Sequence, residues 1–435
     1  MHRITRNTAV FTSMLLAAGI AHAADNSQQA SQGFIADSHL NLLERNYYLY
    51  RNFINQTGPR NYYREWANGL SADFQSGFTQ GTLGFGIDAQ AYWGLKLDSG
   101  AGRIGSGLLP IGSDGRAEDE YSKVNGAVKM RWSNTVLRYG YLQPANPVIN
   151  TSDSRLFPQS YEGFQLVSQD IDHLRLESGR FTSANSRTSM DHAEPLGTGY
   201  SNVAADSATY AGGTYTLNDQ FNATFYGSNL EDVWNQYYVG FNHSLPVGEG
   251  MKLNGSFNLF RTLSEGRELS GSINNTTWSL MEGLRVGAHS FSLAYQKVHG
   301  NEDYDHEGTP GQYGALWVAN SIQIYDFNGP NEQSWQARYD YDFAGIGLPG
   351  LNFMVRYVKG FDIDGSKANS HYAGRYGDDD KHWERDMDIK YTVQSGPVRN
   401  LSTLLRYASH RGTSAGALSD MDEVRVIVQY PLNVF

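Results

Sequence analysis

Residues 83–97 read Leu-Gly-Phe-Gly-Ile-Asp-Ala-Gln-Ala-Tyr-Trp-Gly-Leu-Lys-Leu. One set of alternate positions is apolar throughout: Leu83, Phe85, Ile87, Ala89, Ala91, Trp93, Leu95 and Leu97. Between them lie Gly84, Gly86, Asp88, Gln90, Tyr92, Gly94 and Lys96. Successive side chains of a strand point to opposite faces, so this stretch predicts a strand with one greasy face and one wet face. The pattern recurs along the chain. Tyr237, Val239, Phe241 and Leu245 alternate with Tyr238, Gly240, Asn242 and Ser244. Trp335, Ala337, Tyr339, Tyr341 and Phe343 alternate with Gln336, Arg338, Asp340 and Asp342. Met387, Ile389, Tyr391 and Val393 alternate with Asp388, Lys390, Thr392 and Gln394, and Val424 to Leu432 with Arg425, Ile427 and Gln429.

Two all-β architectures share this alternation. A soluble sandwich hides its apolar face inside, whereas a transmembrane barrel turns it outward to lipid around a polar lumen. The segments run for roughly ten residues, the length a tilted strand needs to cross a bilayer. Tyr, Trp and Phe gather at strand ends, as interfacial girdles do. The inward positions are charged as well as polar, and the chain closes on Phe435 after a strand that Pro431 interrupts. The reading is therefore a single antiparallel β-barrel in a membrane. Short turn-rich stretches (217–220, 345–350, 395–397) contrast with long polar ones (100–121, 146–162, 180–206, 299–333, 360–386, 410–422), the asymmetry of barrels with short periplasmic turns and long outer loops. The length suits about 16 to 18 strands, a size that leaves an aqueous channel.

Composition agrees. The chain has 435 residues, 47 of them Gly, and aromatics make up 13%, which argues against disorder. There is no cysteine, which removes disulfides, thiolate metal sites and a cysteine nucleophile. No apolar run reaches the length of a transmembrane helix. The net charge of -11 does not favour nucleic acid as a partner. Residues 1–23 read as a secretory signal: Arg3 and Arg6, a short apolar run from Val10 to Ile20, and the Ala21-His22-Ala23 cleavage site. Residues 24–435 are then the barrel, exported through the periplasm to an outer membrane.

The alternation also assigns directions to charges. Arg338, Arg356, Lys390, Arg406 and Arg425 fall on the lumen face of five consecutive predicted strands. Arg131 and Arg138 fall on the lumen face of two earlier ones, and Asp340, Asp342 and Asp388 also point inward. A row of guanidinium groups along one wall attracts an anion and passes it from site to site. Arginine suits carboxylates because its planar fork bonds both oxygens and stays charged.

Several motifs together resemble the OprD-type outer-membrane porins, over essentially the whole mature chain. They are Gly33-Phe34-Ile35 through Arg51-Asn52-Phe53, Gly140-Tyr141-Leu142-Gln143-Pro144 with Asn146-Pro147-Val148, Arg155-Leu156-Phe157-Pro158-Gln159-Ser160-Tyr161-Glu162-Gly163, Gly350 to Tyr357, Gln394-Ser395-Gly396-Pro397 and Tyr430-Pro431-Leu432. The resemblance implies an eighteen-stranded barrel, a third loop folded into the lumen, and a basic ladder for uptake of small carboxylate-bearing nutrients such as amino acids or aromatic acids. It adds Arg45, Arg155 and Arg187 to the ladder, with Asp153 expected opposite Arg155 at the narrowest point. The family has a branch favouring basic amino acids and a branch favouring cyclic or aromatic acids. Glu302, Asp303, Asp305, Glu307 and Asp378-Asp379-Asp380 fall in predicted outer loops, where acidic runs usually meet solvent, and the reading leans to the second branch.

The partners expected are outer-membrane lipid and small anionic or zwitterionic carboxylate solutes. A homotrimer is one assembly compatible with a porin; no nucleic acid, metal or cofactor is expected. The alternatives are a weakly selective diffusion porin and, further off, an outer-membrane serine peptidase, for which composition alone speaks. Loop histidines such as His192, His299, His306, His371 and His382 are expected in solvent rather than in catalysis.

Overall fold

The structure, a computed structural model, describes residues 27–54, 61–413 and 417–435. The segment read as a signal lies outside these residues. The first strands are β1 (His39–Phe53), β2 (Tyr62–Gln75), β3 (Gly84–Asp98), β4 (Glu120–Trp132), β5 (Thr135–Leu142) and β6 (Ser160–Ile171). Then come β7 (Leu174–Asn185), β8 (Ala208–Asn218), β9 (Phe221–Leu230), β10 (Trp234–Gly248), β11 (Met251–Ser264) and β12 (Asn274–Val286). The last six are β13 (His289–His299), β14 (Gln333–Asp342), β15 (Leu351–Ile363), β16 (Asp380–Thr392), β17 (Ser402–Gly412) and β18 (Met421–Asn433). Each pairs antiparallel with its neighbours in sequence, and β18 pairs back onto β1 from Asn41–Asn433 to Phe53–Met421. The sheet is a closed 18-stranded barrel with no free edge.

The alternation works as read. Phe85, Ile87, Trp93 and Leu97 are exposed on the outer face, while Tyr92 between them is buried. Adjacent tyrosines split the same way: Tyr237 is 53% exposed and Tyr238 2%. Water does not tolerate such a band of outward Phe, Leu, Trp and Val, and hydrocarbon does. Pro431 is accommodated within β18, beyond Gln429–Ser402, the last pair with β17, so only β1 flanks it. Several predicted loops are shorter than expected, because strands continue past the lipid zone: β7 runs to Asn185, β15 to Ile363, and β16 begins at Asp380.

The tight turns gather at one end, where Gly250 (φ 67°) and Gly287 (φ 58°) take left-handed conformations that L-residues avoid. The long connections gather at the other end, and two of them fold inward. The third, 143–159, drives Leu156 and Phe157 into a core with Tyr47, Leu49, Tyr92, Ile104, Leu108 and Tyr121. The seventh, 300–332, was expected in solvent. It instead buries Tyr304 against Phe260 and Tyr238 and joins the fourth loop in a small sheet through Glu307–Thr309 and Leu196–Thr198. The acids expected in solvent are buried here. Asp303 pairs with Arg375 at 2.9 Å, and Asp305 accepts from the Tyr200 and Ser201 amides and the Tyr372 hydroxyl. Burial pushes the Asp303 carboxyl up to about 6 despite Arg375, and Glu307, buried beside Ser228 and Trp234, up to about 8. Of the 378–380 run, Asp378 and Asp379 are exposed and Asp380 is buried.

Strand glycines make the room for the third loop. A Cβ on Gly69 would stand 2.8 Å from Leu156 Cγ, and one on Gly94 3.1 Å from Phe157 Cε2. Gly69→Val is therefore expected to push the third loop off the wall at a cost of about 1–3 kcal/mol. Single-channel recording checks this as a larger and noisier conductance.

Candidate functional site

The wall from β14 through β18 to β1 carries the predicted cations, and strand register sets their spacing. Arg338 stands opposite Arg356, and Arg356 opposite Asp386. In the next inward row Asp388 stands opposite Arg406, and Arg406 opposite Arg425. Lys390 lies one row nearer the tight-turn end, on β16. The row of cations is present, yet most of its members are not bare. Arg338 holds Asp340 through two hydrogen bonds of 2.7 and 2.8 Å. Arg356 holds Asp386 at 2.7 Å, Arg406 holds Asp388 at 3.1 Å, and Arg425 holds Glu423 at 2.5 Å. Arg51 approaches the same Glu423 at 2.6 Å. Lys390 has no ion pair among the described residues. Register sets Arg356 opposite Asp386, Arg406 opposite Asp388 and Arg51 opposite Glu423, whereas Arg338–Asp340 and Arg425–Glu423 are neighbours two residues apart on one inward face.

The third loop brings Arg45, Asp153, Arg155 and Arg187 together, but in a different arrangement from the one expected. Asp153 does not face Arg155. Its two oxygens accept from Arg45 at 2.7 and 2.8 Å, and Arg45 also donates to the carbonyls of Arg155 (2.6 Å) and Leu156 (3.1 Å). The reason is reach: β1 passes under the loop tip, and its guanidinium is the nearest fork that can span a carboxylate and two carbonyls. Arg155 turns toward the second loop and donates to the Ser106 carbonyl at 2.7 Å. Burial, with Arg425 and Arg187 nearby, holds its guanidinium below the usual value. Arg187 reaches the third loop from beyond β7, donating to Ser154 Oγ at 2.8 Å. Asp153 stays about half exposed, between Ser152 and Ser154, the two hydroxyls to which Arg187 donates.

Sequence reasoning missed Lys123. Its buried ammonium donates to the Pro158 carbonyl (3.0 Å), Asn185 Oδ1 (2.7 Å) and the Ser186 carbonyl (2.9 Å), and so fastens the end of the third loop to the fourth. Its position on the inward face of β4 was a legible signal; its partners were not. Arg131 and Arg138 do face the lumen, near the tight-turn end. Arg131 donates to Gln28, and Arg138 lies 3.6 Å from Asp88, which Lys129 also meets.

The chain carries a Gly-x-Ser-x-Gly spacing from Gly412 to Gly416, with Ser414 outside the described residues. It lies between two strands, and a nucleophile elbow needs a strand-to-helix turn. Of the loop histidines, His306 and His382 are buried.

Comparison with known proteins places this geometry. A family model described as outer membrane porin, OprD family, matches residues 32–434. Porin D of Pseudomonas aeruginosa is 44% identical over 425 residues, covering 95% of each chain. The crystal structure of OprD from that organism superposes with a TM-score of 0.82 at 43% identity, covering 94% of this chain and 98% of that one. Pseudomonas aeruginosa OpdK with vanillate superposes with a TM-score of 0.83 at 37% identity, over 92% of this chain and all of the other. These relatives are channels of the outer membrane rather than enzymes, and the solved ones share the barrel fold. The chain belongs to the OprD family of outer-membrane porins.

Proposed function

We propose that this porin passes small carboxylate-bearing solutes, with aromatic or cyclic acids favoured over basic amino acids. The observation that carries the reading is the run of lumen-facing cations on contiguous strands, Arg338, Arg356, Lys390, Arg406, Arg425 and Arg45, leading to Arg155 and Arg187 at the third loop. A carboxylate entering the lumen meets no deep well. Each guanidinium from Arg338 to Arg45 already shares a carboxylate, so a passing anion exchanges with a resident partner and moves on, the weak multi-site binding that conduction requires. Asp153, exposed beside these cations, supplies the acidic side that a zwitterion's ammonium would meet. OpdK, a relative, holds vanillate, an aromatic acid, which supports the lean toward that class. The acids that a basic-amino-acid pocket would need, Asp303, Asp305 and Glu307, are buried in loop packing.

The ion pairs also favour a second reading, a weakly selective porin whose wall charges are mutually cancelled. Single-channel conductance in a salt gradient, followed by titration with benzoate and with arginine, separates the two. Arg356→Gln with Arg406→Gln is expected to lower anion preference severalfold and to weaken the benzoate response. Indifference to both substitutions would leave the general porin. We further propose that residues 1–23 are an export signal and that 24–435 form the mature barrel chain; the mature protein is expected to begin at Ala24 on N-terminal sequencing.

A further inference from the structure

Where β16 and β17 leave the lipid zone, His382 and His410 are buried side by side, and the tip of the seventh loop lies on them. His382 Nδ1 and His410 Nε2 are 2.8 Å apart. His382 Nε2 is 2.7 Å from Glu332 Oε1, and His410 Nδ1 is 2.8 Å from the Ser419 carbonyl. Phe327 stacks on His382 with centroids 4.1 Å apart, and Tyr325 lies over His410 at 3.8 Å. The Ile324 and Tyr325 amides donate to Glu384 at 2.9 and 3.0 Å. The next residue inward, Gln323, covers the ladder: its carbonyl accepts from Arg425 at 2.8 Å and its amide donates to Glu423 at 3.1 Å.

The network assigns the protons. A carbonyl can only accept, so His410 carries a proton on Nδ1 and, when neutral, offers a lone pair at Nε2. That lone pair accepts from His382 Nδ1–H. One further proton lies between His382 Nε2 and Glu332 Oε1, and the other Glu332 oxygen already accepts from the Gly329 amide at 2.8 Å. The chain is then full. On His410 a second proton can enter only at Nε2, head-on against the N–H of His382 at a distance that permits one hydrogen. Asp380 and Glu384 from β16, Asp420 from the ninth loop, Arg411 from β17, and Asp326 and Lys297 near Glu332 are the other charges facing these rings. The loop is also under backbone strain: Phe327 (φ 50°) and Asn331 (φ 59°) sit in the left-handed region, so packing holds a conformation the chain would leave.

We propose that Glu332, His382 and His410 form a proton-sensitive latch, which holds the seventh-loop tip over Arg425 and releases it when His410 takes a second proton. Released, the segment 320–328 leaves the wall, widens the passage and bares Arg425. The inference rests on the ladder reading only for its effect on selectivity; the change in width stands apart from it.

Burial holds both imidazoles well below their ordinary range, so single-channel conductance and reversal potential in a salt gradient test it between about pH 7 and about pH 3. The wild type is expected to show a reversible rise of about twofold or more in conductance on acidification, with increased anion preference. His410→Gln keeps a donor for Ser419 and an acceptor for His382 but cannot take the proton, so the response is expected to vanish. Tyr325→Ala loosens the tip without touching the proton chain, and is expected to give the acid-type conductance at neutral pH. A conductance step lost in His410→Gln but with unchanged selectivity would keep the latch and overturn the ladder. A wild type flat across this range, or an acid response that survives in His410→Gln, would overturn the latch.

Discussion

Arg45→Met is expected to give a wider channel with little preference for anions. This one side chain bonds both oxygens of Asp153 and the carbonyls of Arg155 and Leu156. The side-chain oxygen of Gln429, in the amide orientation that satisfies the network, accepts from it as well at 2.8 Å. Methionine keeps the bulk and the apolar stem and removes every one of these bonds. Two carbonyls and a carboxylate then lose their shared donor, and the β1 side keeps the longer bond from the Tyr47 hydroxyl to the Ser154 carbonyl at 3.3 Å. Lys123 still fastens its far end, so the loop should swing rather than unfold. Arg45→Lys separates the two contributions: it restores the charge but cannot span the carboxylate and the carbonyls at once. Conductance near that of Arg45→Met with anion preference partly recovered is the expected result for Arg45→Lys. Wild-type conductance in Arg45→Met would mean that apolar packing of Leu156 and Phe157 alone positions the loop.

Glu423→Gln is expected to be the most destabilising single change. The carboxylate is fully buried, with Arg425 at 2.5 Å, Arg51 at 2.6 Å and the Gln323 amide at 3.1 Å. Gln keeps the shape and takes away the charge that holds two guanidinium groups together. Removing one partner of a buried ionic cluster costs about 3–5 kcal/mol, because the remaining charges are left uncompensated. The barrel should lose its folded, fast-migrating band at a lower temperature in detergent gels, and the loss should be smaller when Arg51→Met is added, since one of the repelling cations is then gone. Equal heat resistance in Glu423→Gln and wild type would show that water reaches the cluster and screens it.

The barrel was readable because its two faces meet opposite solvents. Trp335 and Gln336, or Ile389 and Lys390, declare their directions by chemistry alone, and eighteen strands repeat that contrast. The cations were readable for the same reason. What they bond was not, since Arg356 finds Asp386 through the β15–β16 register, and register depends on loop lengths that composition does not specify. The inward loops were readable in part. Gly69 and Gly94 interrupt otherwise well-filled strands, and glycine in a strand marks a close approach; their visitors, Leu156 and Phe157, are set by tertiary contact. The seventh loop breaks the rule that polarity marks solvent. Asp303, Asp305 and Glu332 are polar for the benefit of buried partners, Arg375, Tyr372 and His382, that lie far away in sequence.

Arg51 and Glu423 are 372 residues apart, and they meet where the first strand zips to the last. Arg45, Gln429 and Arg425 share that junction. The most heavily charged part of the passage therefore has no existence in a partly assembled chain. A nascent barrel still open along this line carries two half-sites on its two free margins, one rich in guanidinium and one bearing the buried carboxylate. Their attraction favours the correct margin-to-margin register, and the charged junction is complete only once the barrel closes.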